Sequence, residues 1–133
     1  MQELRRTLGG CLAVIAAIAV CGSGMFFTLD RVCVNYLPQR LPFYPNGDVR
    51  WLRHNFITPW GVGNTVTILD TADSPDVVRA WYGRETGTFL RRIASTDEPL
   101  LIMGQRLARA DWRVDRAETG GGSMITLFGT CAN

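Results

Sequence analysis

Few side chains in this sequence are of the types that carry out catalysis. His54 is the only histidine among 133 residues, and neither a cysteine nor a second histidine lies near it in the chain, so a zinc site is not expected. Asp70, Asp73 and Asp76 recur at intervals of three, a spacing that could suggest a calcium site or a pair of catalytic carboxylates. The local sequence favours another interpretation, in which Asp70 ends a strand, Asp73 or Ser74 caps a helix and Asp76 complements the helix dipole.

A run of glycines at Gly120 to Gly122 could suggest a phosphate-binding loop. Neither a lysine nor a helix start follows it, so a hairpin turn is the favoured interpretation. The sequence also lacks the C-x-x-C-H pattern of covalently bound haem and the cysteine spacings of iron–sulfur clusters. We therefore predict a protein that is not an enzyme and that has no catalytic, cofactor-binding or metal-binding residues.

The four cysteines divide into two pairs by position. Cys11 and Cys21 lie inside an apolar segment, whereas Cys33 follows that segment and Cys131 lies near the end of the sequence. If the apolar segment directs the rest of the chain out of the cytoplasm, Cys33 and Cys131 are the two thiols in an oxidising compartment and are expected to pair. A disulfide that closes so long a loop contributes roughly 4 to 5 kcal/mol in the chain-entropy model. Two free buried thiols are the alternative.

The apolar segment is long enough to cross a membrane. No charged residue lies between Arg6 and Asp30, and the 23 residues between them would form a helix of about 34 Å, against about 30 Å of hydrocarbon. Two other interpretations stay open, namely a secretion signal cleaved after residues 17–19 and a lipoprotein modified at Cys21. Arg5 and Arg6 favour a cytoplasmic N-terminus and an exterior C-terminal domain at the bacterial cytoplasmic membrane.

Small side chains recur every four residues along this segment, at Gly9, Ala13, Ala17 and Cys21. Such a small-residue stripe lets a second helix approach closely, which is a main source of helix association in lipid. The alternative is that alanine and glycine are simply common here. The stripe predicts that the anchor packs against another membrane subunit.

The pattern of the chain divides it into three parts. Residues 1–30 form the signal anchor or transmembrane helix, and residues 31–48 are predicted to form an extended neck because they contain Pro38, Pro42 and Pro45. Residues 49–133 are predicted to form a small extracytoplasmic domain.

The domain is predicted to be α+β, with the order β-β-α-α-β-β and a small antiparallel sheet packed on a helical layer. Strands are expected over residues 49–58 and 64–70. A helix is expected to begin at Pro75, and Gly83 and Gly87 are expected to destabilise its middle. A second helix is expected to begin near Pro99 and to continue towards Trp112, and a closing hairpin to follow.

Arginines and one tryptophan are the candidate partner contacts. All fourteen basic residues are arginine, and no long basic run predicts nucleic-acid binding. Arg106, Arg109, Arg113 and Arg116 would line one face if the second helix continued that far, where they could bind an acidic partner or anionic headgroups. A solvated face of paired charges is the alternative. Trp60, in a glycine-rich loop between two strands, is expected to be exposed and to contact a partner.

Short motifs in the domain resemble those of small exported domains of Chloroflexi-type bacteria. The matching residues are Leu41, Pro42, Tyr44, Pro45, Thr71, Asp73, Ser74, Pro75, Val78, Trp81, Tyr82, Leu107 and Trp112. The resemblance covers residues 41–130 and implies a domain that follows a signal anchor or lipobox and has no catalytic residues. This chain departs from the pattern by an extra stretch at about residues 86–105, which affects the helical layer.

The layout of one span and one small domain is also similar to that of accessory subunits of photosynthetic and respiratory complexes, such as alternative complex III. The sequence therefore predicts a non-catalytic accessory subunit of a larger membrane complex, with no cofactor of its own, whose partners are other membrane subunits and the lipid bilayer. An exported or lipid-anchored module that binds a small ligand or a partner protein is the alternative.

Overall fold

A computed structural model describes residues 2–58, 61–118 and 120–131 of the chain. Within these residues, a long N-terminal helix precedes two strands, two helices and two further strands, so the predicted α+β class is confirmed. The elements are α1 (Gln2–Arg40), β1 (Asp48–Thr58), β2 (Gly61–Thr71), α2 (Pro75–Ala94), α3 (Pro99–Leu107), β3 (Ala108–Arg116) and β4 (Ser123–Cys131).

The four described strands form one antiparallel sheet in the order β1-β2-β4-β3, so β1 and β3 are its edges. Because side chains alternate between the faces of a sheet, each cross-strand row belongs to one face. One row joins Leu52, Thr67, Leu127 and Trp112, and it belongs to the face that the helices cover. The next row, on the opposite face, joins Trp51, Ile68, Thr126 and Arg113.

Two clusters of buried side chains hold the helices on the sheet. The larger cluster packs α2 on the centre of the sheet, and it consists of Tyr44, Leu69, Val78, Tyr82, Val114, Ile125 and Leu127 with Trp81 and Trp112 at its margin. The second cluster packs the end of α1 against α2, α3 and the sheet, and it consists of Cys33, Tyr36, Phe89, Ile93, Leu101, Ala108 and Cys131. The C-terminal part of α1 is therefore a component of the domain.

This arrangement corrects the predicted extended neck. The helix runs to Arg40, ten residues beyond the predicted boundary, and only the short segment from residue 41 to residue 47 links it to β1. Pro38 lies in the last turns of α1, where few backbone hydrogen bonds remain to be lost, and Leu41 N–H still donates to Leu37 O at 2.8 Å. Burial of Cys33 and Tyr36 offsets the cost of the proline.

The helical layer differs from the prediction in two places. Helix α2 does not weaken at its glycines but continues to Ala94, because Phe89 and Ile93 in its second half are buried. Helix α3 ends at Leu107, and the chain then enters β3, where Ala108 is buried opposite Cys131. The extra stretch at residues 86–105 thus forms the second half of α2 and most of α3.

The four arginines would share a helical face only if the second helix continued past Leu107, and it does not. Arg106 lies in the last turn of α3, whereas Arg109, Arg113 and Arg116 lie in β3 and pair with β4. Arg113 forms an ion pair with Asp115 at 2.8 Å, which fits the alternative of paired surface charges at that position. The closing hairpin that the glycines were predicted to turn is confirmed as β3 and β4.

Candidate interface where the helix joins the sheet

Helix α1 leaves the domain without a break and continues as an apolar rod. It is 39 residues long, about 58 Å at 1.5 Å per residue, and its part from Gly10 to Arg40 is long and apolar enough to cross a membrane. Large apolar side chains between Gly10 and Thr28 are exposed, as shown by Leu12, Ile15, Ile18, Val20 and Met25, each at least 60% exposed. Such exposure in a segment of this hydropathy favours lipid or another helix as its surroundings.

The small-residue stripe lies on this exposed part of α1. Ala13, Ala17 and Cys21 are exposed, and Cys11 and Cys21 are free thiols. Only the backbone of Gly9 belongs to the described residues. The stripe is therefore available to a partner helix, and Cys21 is one of its members.

A disulfide joins α1 to the end of β4. Cys33 and Cys131 are bonded, with their Cα atoms 5.9 Å apart and their positions 98 apart in sequence, and both side chains are fully buried. The predicted pairing is present in the structure. It attaches the last strand to the helix directly above the apolar rod.

A hydrogen-bonded chain of three side chains lies beside the disulfide. Asp30, the first charged residue after the apolar segment, is 12% exposed in its side chain and accepts a hydrogen bond from His54 Nε2 at 3.0 Å. His54 Nδ1 lies 2.8 Å from the Thr65 hydroxyl, which can serve it in either protonation state because a hydroxyl both donates and accepts. No sequence motif relates Asp30 to His54, and their positions are 24 apart, so the sequence alone does not predict this contact.

Thr65, His54 and Asp30 lie in a line, as the three members of a hydrolytic triad do. A triad requires backbone N–H groups that are free to stabilise an oxyanion. Thr65 is paired in the sheet with His54 on one side and Gly129 on the other, so the backbone groups around the hydroxyl belong to the strand ladders. This geometry fits a structural link between α1 and the β1–β2 hairpin.

Glycines let α1 approach the domain closely. A Cβ at Gly104 of α3 would lie 2.5 Å from Tyr36 Cδ2, and one at Gly129 of β4 would overlap the Leu37 side chain. Gly63 has φ +66°, and a Cβ there would lie 3.1 Å from Asp30 Oδ1. These contacts require glycine because any larger residue would push the helix away from the sheet.

Asp73 holds the linker, the turn before α2 and β4 together. Its carboxylate accepts hydrogen bonds from the Tyr44 hydroxyl at 2.7 Å and the Asn46 amide at 3.2 Å, and its carbonyl accepts one from Ser123 at 2.7 Å. The hydrogen bond from Tyr44 holds the pKa of Asp73 below its ordinary value, and the same bond raises the pKa of Tyr44. Of the two predicted caps, Ser74 takes the N-cap position, although its side chain makes no cap hydrogen bond.

The motif residues of the proposed Chloroflexi-type resemblance gather in this part of the core. Tyr82 stacks on Trp112 with ring centroids 5.4 Å apart, and Trp81 packs edge-on against both Tyr82 and Tyr44 at 4.7 and 5.2 Å. Burial also raises the pKa of Tyr82. The motifs therefore describe packing, and the resemblance itself stays a prediction.

An apolar groove of about 360 Å³ opens between α1 and the β1 side of the sheet. Val34, Leu37 and Leu41 line one wall, and Leu52, Thr67 and Leu127 line the other. Leu52 is 54% exposed because no helix covers this part of β1 among the described residues. The groove is a candidate site for an apolar ligand.

The other predicted contact residues are more scattered. Arg106 and Arg109 are exposed and belong to different elements, so they do not form one surface by helical spacing. Trp60 lies outside the described residues. Within residues 2–58, 61–118 and 120–131, no group of three or more metal-ligating side chains is close enough to hold an ion.

Comparison with known proteins adds no relative. The chain matches no protein-family model, no curated protein and no solved structure.

Proposed function

We propose that this chain is a non-catalytic, single-span accessory subunit of a larger bacterial membrane assembly. Its N-terminus lies in the cytoplasm and its α+β domain lies on the exterior of the cytoplasmic membrane. Arg5 and Arg6 before the apolar segment support this orientation, as does the disulfide, since disulfides persist in oxidising compartments. The association with a photosynthetic or respiratory electron-transfer complex rests on layout alone.

The observation that carries the proposal is the continuity of α1 from the apolar segment into the core of the domain. The helix is attached to the sheet by a disulfide, by the hydrogen bond between Asp30 and His54, and by the packing of Tyr36 and Leu37 on glycines. A domain on a flexible neck can search for soluble ligands. A domain attached in this way is held close to the membrane in one orientation, which suits a subunit that braces its neighbours.

Two exposed surfaces are available for those neighbours. The first is the small-residue stripe within the apolar part of α1. The second is the uncovered face of the sheet, where Trp51 and Phe128 are each 43% exposed and Arg109 lies at the edge in β3. Aromatic and arginine side chains of this kind are enriched at the centres of protein interfaces.

Extraction of the full chain from its membrane in a mild detergent tests the proposal. On a native gel, we expect a complex with co-migrating subunits, and mass spectrometry identifies them. Substituting Ala13→Leu and Ala17→Leu should release the chain from the complex, because leucine prevents close helix approach. Ile15→Leu and Ile18→Leu, on other faces of the same helix, should leave the complex intact. A monomer without co-migrating subunits would refute the proposal.

The apolar groove favours a second candidate function, the binding of an apolar ligand. The test is titration of the full chain in detergent with a fluorescent long-chain fatty acid. Leu52→Trp, which fills the groove, should weaken binding at least tenfold, whereas Leu100→Trp on α3, which is also exposed, should not. Equal affinity of both variants would exclude the groove as the binding site.

A further inference from the structure

The tip of the β1–β2 hairpin lies beside the apolar part of α1. Phe56 and Ile57 of β1 form one side of a shallow apolar cleft, and Val20, Gly24 and Phe27 of α1 form part of the other. These helix residues precede Asp30, the first charge after the apolar segment. The hairpin therefore extends past the base of the domain and along the helix.

The extent of this overlap follows from the rise per residue of the two elements. The hydrogen bond between Asp30 and His54 places those two residues at the same level. From His54 to Thr58, four residues of strand span about 13 Å, and from Asp30 back to Val20, ten residues of helix span about 15 Å. The end of β1 thus lies beside the outer third of the apolar segment.

The end of β1 that leads to the hairpin tip is apolar and exposed. No charged residue occurs between Arg53 and Asp70 in the sequence. Ile57 is 66% exposed and Phe56 is 39% exposed, and Phe26 and Phe27 of the adjacent helix are 42% and 54% exposed. A helix and a strand therefore expose apolar side chains at the same distance beyond Asp30.

We propose that the tip of the β1–β2 hairpin is embedded in the outer leaflet of the bilayer, at the boundary between headgroups and acyl chains. This inference rests on the orientation given under the proposed function. Lipid is the occupant that the geometry favours, because the tip lies beside a segment that must itself be surrounded by acyl chains. β1 is an edge strand of the described sheet, and lipid cannot hydrogen-bond the backbone groups of a sheet edge, so the tip reaches the boundary and not the middle of the bilayer.

The embedded tip gives the domain a second attachment to the membrane. The helix alone fixes one point, about which the domain could tilt. Insertion at Ile57 fixes another point on the side of β1 and brings the apolar groove close to the lipid surface, since Leu52 lies on the same strand.

Spin labels at single cysteines test the insertion. The full chain, with Cys11→Ser and Cys21→Ser and the disulfide intact, is reconstituted into vesicles of phosphatidylcholine and phosphatidylglycerol. One label replaces Ile57, a second replaces Phe27 on the span, and a third replaces Val77, which is 53% exposed on α2. Collision rates with oxygen, which concentrates in lipid, and with a water-soluble nickel chelate report the surroundings of each label. All three positions are exposed, so a label is tolerated.

The labels at positions 57 and 27 should collide several-fold more often with oxygen than with the nickel chelate, and the label at position 77 should show the reverse. A label at position 57 that behaves like that at position 77, while the label at 27 is in lipid, would overturn the insertion and leave the membrane span intact. Water exposure at both 27 and 57 would overturn the membrane span as well as the insertion.

Discussion

The disulfide between Cys33 and Cys131 supplies a large share of the stability of the domain. It closes a loop of 98 residues, and the chain-entropy model gives about 4.7 kcal/mol for a loop of that size. Domains of this size have total stabilities of roughly 5 to 15 kcal/mol. Both cysteines are replaced by alanine, because serine would bury a hydroxyl group at each of these two fully buried positions. We expect the free energy of unfolding to fall by about 4 to 5 kcal/mol.

Urea unfolding of the full chain in detergent micelles, followed by tryptophan fluorescence, measures this loss. Trp81 and Trp112 report on the core because both pack against Tyr82. At an m value of about 1 to 3 kcal/mol per molar urea, a loss of about 4 to 5 kcal/mol should lower the midpoint by roughly 1.3 to 5 M. The parent chain treated with a reducing agent is the matched control and should show the same loss. A change below about 1 kcal/mol in either case would refute the reasoning that the tether stabilises the domain by restricting the unfolded chain.

Three further predictions concern single positions. Gly63→Ala should lower the free energy of unfolding by about 1 to 3 kcal/mol, because the backbone there has φ +66°, which alanine adopts only with strain. Gly83→Ala is the matched control in the interior of α2, where a Cβ meets nothing within 4 Å. It should raise the free energy of unfolding by about 0.5 to 1 kcal/mol. The lowered pKa of Asp73 stabilises the fold at pH values above the ordinary value near 3.8, and this contribution is lost as the pH falls through the pKa of the folded state. In Asp73→Asn, the urea midpoint should therefore decrease less steeply with pH below about pH 4. The raised pKa values of Tyr44 and Tyr82 act in the opposite direction, so stability should fall as the pH rises above 10, and Tyr44→Phe should reduce that slope.

Each of these predictions has a result that contradicts it. Equal unfolding curves for the two glycine variants would mean that the backbone at residue 63 is not constrained. Parallel pH profiles for the parent and Asp73→Asn would mean that the hydrogen bond from Tyr44 does not survive in solution. An unchanged alkaline slope in Tyr44→Phe would place the alkaline effect on Tyr82.

Local signals predicted much of this fold because they act over short distances. Pro75 and Pro99 mark helix starts at positions where a missing N–H costs nothing, and both helices begin there. The alternation of Thr67, Ile68 and Leu69 reflects one covered face of a sheet. The disulfide followed from compartment and cysteine count, which needed no geometry.

The errors occurred where distant residues decide local structure. Pro38 argues for extended backbone in isolation, but burial of Tyr36 against α3 keeps the helix intact around it. The arginines after Leu107 are spaced as on a helix. The chain nevertheless forms a strand from Ala108 onward, because its backbone pairs with β4. The groove and the hydrogen bond between Asp30 and His54 combine residues from separate elements, so no local pattern announces them.

Because α1 is continuous, the direction in which the sheet faces, measured around the axis of the helix, depends on the number of residues in the helix. Each residue of an α-helix turns the chain by about 100°, so the sixteen steps from Ala17 to Cys33 set an angle of about 160° between the stripe and the attachment of the domain. Removing one residue between them would rotate the sheet by about 100° relative to a partner helix, whereas removing seven, nearly two whole turns, would restore its direction to within about 20°. Two neighbours that contact the stripe and the sheet at the same time would therefore constrain the length of this helix as strictly as its composition.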